Sequence, residues 1–103
     1  MSVTHVVTFT WVEGTTPETV ENIRARLQGW IDRGEGLDGL TAWHGGSDLG
    51  LAAGNAAFGV SATCVDRAAY VRYRDHPEHR AIISEHIAPH IATRSAVQFE
   101  HAS

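Results

Sequence analysis

The chain has 103 residues, 43% of them hydrophobic, and a formal net charge of -4, which predicts one globular domain and excludes a disordered chain. Its eight basic residues are all arginines, scattered from Arg24 to Arg94 without a run that tracks a phosphate backbone, so nucleic acid is not an expected partner. No apolar stretch approaches the roughly 18–20 residues of a membrane span, and no basic start leads into an apolar signal segment, so no membrane partner is expected either.

Residues 3–12 are rich in β-branched and aromatic side chains and predict a strand. Alternation puts Val3, His5, Val7, Phe9 and Trp11 on one face, and Thr4, Val6, Thr8, Thr10 and Val12 on the other. Gly14 breaks the pattern. Thr16 as cap, Pro17 at the first position and Glu18 beside the positive end of the dipole predict a helix over 17–33. Its apolar stripe is Val20, Ile23, Leu27, Trp30 and Ile31, and Gly34 is its stop.

Residues 34–55 hold seven of the ten glycines. Leu40 to His44 predict a second strand within them. The segment from Gly45 to Gly50 reads as loop, and it lacks the lysine and hydroxyl of a phosphate loop, which excludes nucleotide binding. Residues 56–65 predict a third strand with Phe58, Val60, Ala62 and Cys64 on one face. Cys64 is the only cysteine and reads as a small core residue, in keeping with a reducing cytoplasm. Asp66 caps a second helix from Arg67, Pro77 interrupts it, a further helical stretch covers 78–88, and Pro89 ends that stretch. Residues 93–100 predict a last strand, with Ser95, Val97 and Phe99 sharing a face.

The order is β-α-β-β-α-β, an α+β ferredoxin-like pattern with an antiparallel sheet. Helices cover one sheet face only. The other face is expected to hold Val6, Val12 and Trp43, and a second copy of the chain is the simplest cover, giving a homodimer.

Tyr73-Arg74-Asp75-His76-Pro77-Glu78-His79 gathers two imidazoles, a phenol and two carboxylates around a proline. This motif, the opening His5-Val6-Val7-Thr8-Phe9, the Pro17 helix and the third strand together resemble the stress-responsive A/B barrel domain family, over nearly the whole chain. The resemblance implies a homodimeric α+β barrel with a pocket between sheet and helices in each subunit. Functions in that family are diverse. They include stress tolerance and, in the plant enzyme olivetolic acid cyclase, cofactor-free ring closure of a polyketide. That enzyme's motif is matched at His5, Tyr73 and His79, whereas the position of its third-strand histidine is taken by Phe58.

His79 is the leading candidate as a general base, because a neutral imidazole titrates near working pH. Tyr73 is a candidate donor to a developing enolate or carbonyl oxygen. The alternative reading is structural: His79 caps the new helix, and Tyr73 packs its ring with a satisfied hydroxyl. His5 either lines the pocket or is a core histidine with a backbone or side-chain partner. Phe9, Trp11, Phe58 and Trp30 are the expected apolar wall for a small apolar or aromatic ligand. His86 and His90 have helical i, i+4 spacing, but Pro89 lies between them and no third ligand is placed, so no metal site or other cofactor is expected. Asp75 and Glu78 read as surface partners for His76 or for Arg74 and Arg80, and His44 and His101 as loop or terminal residues. Three functional readings remain open: a ligand-binding or stress-related domain, a cofactor-independent cyclase or lyase, and a structural dimer.

Overall fold

The β-branched opening forms β1 (Ser2–Trp11) in the computed structural model, which describes residues 1–103. After it come α1 (Pro17–Arg33), β2 (Leu40–Ser47), β3 (Phe58–Cys64), α2 (Arg67–Asp75) and α3 (Pro77–Ile82). A π-helical turn (Ile83–Ile87) and a 3₁₀ turn (Ala88–His90) then lead into β4 (Ile91–His101). The sheet is antiparallel, in the order β2-β3-β1-β4. This is the ferredoxin-like α+β fold that the element order predicts. No helix is long and apolar enough to cross a membrane.

The helices begin and end where the local chemistry requires. The Thr16 hydroxyl accepts from the Thr19 amide at 3.1 Å, and Gly34 closes α1 at φ 71, a conformation that costs other residues more than glycine. Asp66 accepts from the Ala69 amide at 2.8 Å and starts α2. His76 starts α3: its Nδ1 accepts from the Glu78 amide at 3.1 Å, and its Nε2–H donates to the Glu35 carbonyl at 2.9 Å. Capping therefore falls to His76 and not to His79. Beyond Ile82 the backbone widens, with the Ala88 amide reaching the Ile83 carbonyl, where a regular helix was expected through residue 88.

The core lies between the sheet and the helices. Val20, Ile23, Leu27 and Trp30 of α1 face Val7 and Phe9 of β1 and Phe58, Val60, Ala62 and Cys64 of β3, all buried. Burial of each aliphatic side chain contributes about 1.5–3 kcal/mol.

Trp43 departs from its expected position. The β2–β3 register shifts between Leu40 and Ala42, and Trp43 stands opposite Ala62 on the helix-covered face, 8% exposed. Its ring lies over Gly45, where an added Cβ would come within 2.7 Å of the indole. Gly45 itself belongs to β2, which runs three residues past its expected end.

The opposite sheet face has no helix over it. It carries Val6 with Val97 directly across, and Thr4 with Phe99 across; Val97 is 55% exposed and Phe99 48%. Threonines tie this face together, with Thr4 bonded to Thr63 at 2.9 Å and Thr10 to Thr93. His44 and His101 are strand residues here, and His101 bonds Thr4 at 2.6 Å.

Candidate functional site

β1, α2 and α3 aim His5, Tyr73 and His79 at one cavity of about 80 Å³ between sheet and helices. Its remaining wall is apolar, apart from Arg94. Val7 and Phe9 come from β1, Leu27 from α1 and Val60 from β3. Ile83 and Ile87 come from the π-helical turn, and Ile91 from the start of β4.

The bend at Pro77 fixes the tautomer of His79. Nδ1–H donates to the Arg74 carbonyl at 2.9 Å, across the proline, so the free lone pair sits on Nε2. Burial pushes the His79 pKa below its ordinary 6.5; the Arg74 hydrogen bond opposes this, and His76 and Arg80 add to the lowering. The ring is therefore a neutral base at neutral pH.

Tyr73 is 3% exposed, and its hydroxyl accepts from the Trp43 indole N–H at 3.2 Å. It makes no other hydrogen bond, so its own proton has no protein acceptor. Burial pushes the phenol up to about 12, with the Trp43 hydrogen bond opposing and Cys64 and Tyr70 adding. A phenol that stays protonated beside a neutral imidazole is a donor beside a base. The two rings lie 4.9 Å apart, centroid to centroid.

Trp30 is the platform under this pair. It stacks on His79 at 5.1 Å with an interplanar angle of 16°, and on Tyr73 at 5.4 Å and 24°. Its indole N–H is buried without a hydrogen-bond partner, so ring contact alone holds it.

His5 has the complementary tautomer. The Gln98 side-chain amide donates to its Nδ1 at 2.6 Å, which puts the proton on Nε2. Burial lowers its pKa first, then the cation of Arg94 and then His79. It is a neutral donor, in tilted contact with Tyr70 at 5.3 Å.

The structure thus brings His5, Tyr73 and His79 together, with Phe9 on the same wall. Trp11 and Phe58 do not line the cavity; they pack on each other at 5.7 Å and on Phe9 at 5.8 and 6.4 Å. Trp30 lies behind the Tyr73–His79 pair. Trp43, Gln98 and Arg94 were not anticipated. Trp43 is hidden by the register shift in β2. Gln98 and Arg94 are polar residues on an edge strand, where surface is the ordinary reading. Asp75 pairs with Arg74 and Arg80, whereas Glu78 pairs with Arg33 of α1. No three His, Cys, Asp or Glu side chains converge anywhere in the fold.

Comparison with known proteins agrees with this architecture. A dimeric ferredoxin-like protein of unknown function from Thermobifida fusca is 38% identical, with a TM-score of 0.87 over 96% of this chain and 90% of its own. The hydroxynitrile lyase of Passiflora edulis shares the fold at 16% identity and a TM-score of 0.78, covering 95% of this chain and 91% of its own. A cofactor-independent oxygenase from Streptomyces nogalater does so at 18% identity and 0.74, covering 99% and 94%. No curated protein matches the chain. Residues 3–101 match the stress responsive A/B barrel domain, and the chain belongs to that family.

Proposed function

We propose that this chain is a cytoplasmic homodimer whose cavity binds a small, largely apolar carbonyl compound and moves a proton on it without a cofactor, as a lyase or cyclase would. The observation that carries this reading is the hydrogen bond from His79 Nδ1–H to the Arg74 carbonyl. It leaves Nε2 as a base beside a phenol whose proton is unclaimed.

The chemistry follows from the two groups. The apolar part of the substrate packs against Leu27, Ile83 and Ile87. Nε2 of His79 takes a proton from the carbon next to the carbonyl. The Tyr73 hydroxyl donates to the carbonyl oxygen as negative charge develops there, and the His5 Nε2–H is a second donor on the same wall. The enolate then has three fates: it takes the proton back, it attacks a second carbonyl whose alkoxide takes the proton from His79, or it expels a leaving group that takes that proton. The Passiflora protein is a lyase and the Streptomyces protein a cofactor-independent oxygenase, but the assignment to this chain stands on its own residues.

The homodimer is supported by the uncovered Val6, Val97 and Phe99 face and by the dimeric Thermobifida protein. The cytoplasmic assignment is supported by Cys64, a free and buried thiol.

The test is proton exchange in D2O. Small ketones such as 3-methylbutan-2-one are incubated with the protein, and loss of the α-proton signal is followed by NMR. His79→Phe keeps the stack on Trp30 and removes the base; it is expected to slow the protein-dependent rate by about 100-fold or more. Exchange no faster than in buffer, or equal exchange by His79→Phe, would overturn the reading.

One observation favours ligand binding without turnover: the void, at about 80 Å³, is small for a substrate that must close a ring.

A further inference from the structure

Resting on this reading of the cavity, we propose that Arg94 recognises an anionic head group, so that the carbonyl compound is a small keto monocarboxylate. Its short apolar body lies among the isoleucines, and its carboxylate lies at the Arg94 end of the wall.

Six of the eight arginines already have partners. Arg24 pairs with Glu21, Arg33 with Glu78, Arg67 with Glu100, and Arg74 and Arg80 with Asp75, while Arg72 donates to the Asp38 carbonyl. Arg26, on α1, does not line this cavity. Arg94 makes no ion pair, and it is the only charged residue on a wall otherwise built of apolar and neutral groups. No carboxylate lines that cavity, so nothing on its wall competes with a bound anion for the Arg94 guanidinium.

The backbone places it there. A β-bulge in β4 sets Trp11 opposite Ile91 and Thr10 opposite Thr93, leaving Ala92 as the extra residue. Ile91 and Arg94 consequently share the cavity side, where simple alternation would separate them. Arg94 sits directly across from Phe9, four pairs along β1 from His5 and on the same face. Its field reaches His5 and contributes to keeping that imidazole neutral.

A guanidinium is a planar fork that matches a carboxylate through two parallel N–H···O bonds. One such fork suits a singly charged carboxylate better than a phosphate dianion. The void, about 80 Å³, is roughly half the ~150 Å³ that admits benzene, which limits the buried body to about four or five carbons.

The experiment titrates the protein with 3-methylbutanoate, its neutral isostere 3-methylbutanamide, and inorganic phosphate. Calorimetry gives the affinity, and the His79 ring NMR signals report occupancy of the cavity. The acid is expected to bind and to shift His79, with the amide at least about tenfold weaker. Arg94→Gln is expected to reduce the acid to the level of the amide, and Arg94→Lys to give an intermediate value. Arg94 is exposed on an edge strand, and an unchanged melting temperature of each variant verifies its fold. Equal binding of acid and amide, an acid preference that survives Arg94→Gln, or phosphate binding as well as the acid would overturn the proposal while leaving the cavity reading intact. If none of the probes shifts His79, the monocarboxylate proposal falls, while the cavity reading is decided separately by the ketone exchange.

Discussion

Replacing Tyr73 by phenylalanine removes one oxygen and keeps the ring. The ring contacts with Trp30 at 5.4 Å and with His79 at 4.9 Å survive. What is lost is the acceptor for the indole N–H of Trp43, a residue only 8% exposed. Orphaning a buried donor costs about 1–3 kcal/mol. The 3.2 Å bond lies at the long end of the normal range, which places the cost in the lower part, about 1–1.5 kcal/mol. For a chain near 100 residues, that lowers the melting temperature by about 4–12 °C. Circular dichroism melts at one fixed protein concentration measure it, since association shifts the midpoint. Trp43→Phe and the double variant complete a cycle, with a coupling of about 0.5–1.5 kcal/mol expected between the two sites. If Tyr73→Phe melts within about 1 °C of the parent and the coupling vanishes, the Trp43 bond does not hold the phenol. The claim that the hydroxyl proton is left free for a ligand would then fail.

The pH dependence of stability has a definite sign. Burial lowers the folded-state pKa of His79 and of His5 from 6.5, so below that value the unfolded chain binds more protons. Stability should be level above pH 6.5 and fall as the pH drops below it, until the folded-state values are passed. Melting curves between about pH 5 and 7.5 check this, and His79→Phe should flatten the slope. Val97→Asp puts a charge among the exposed apolar residues of the uncovered sheet face and should yield a monomer by sedimentation at micromolar concentration; a variant that stays dimeric would place the interface elsewhere.

The sheet and α1 were legible because their signals are local and redundant. Thr16, Pro17 and Gly34 each mark an end of α1, and the alternation of β1 and β3 survives into the buried faces. Trp43 was not legible, since strand parity holds only while the register does, and the shift between Leu40 and Ala42 reverses it. The π-helical turn was hidden for a related reason: Ile83 and Ile87 are four apart and fit a regular helix equally well. His5, Tyr73 and His79 were readable as a set through the motif around Pro77. Their tautomers were not, because each depends on a partner distant in sequence or across the bend, Gln98 for His5 and the Arg74 carbonyl for His79. Arg94 shares its face with Gln98 by simple alternation, but Ile91 joins them only through the bulge at Ala92, which sequence alternation does not reveal.

The central claim is that His79 is a neutral imidazole with its base nitrogen free beside Tyr73. Long-range 1H–15N NMR of histidine-labelled protein, followed through a pH titration, tests it directly. His79 should show the Nδ1–H tautomer at neutral pH and protonation with a midpoint below 6.5. An imidazolium at neutral pH, or a proton on Nε2, would contradict it.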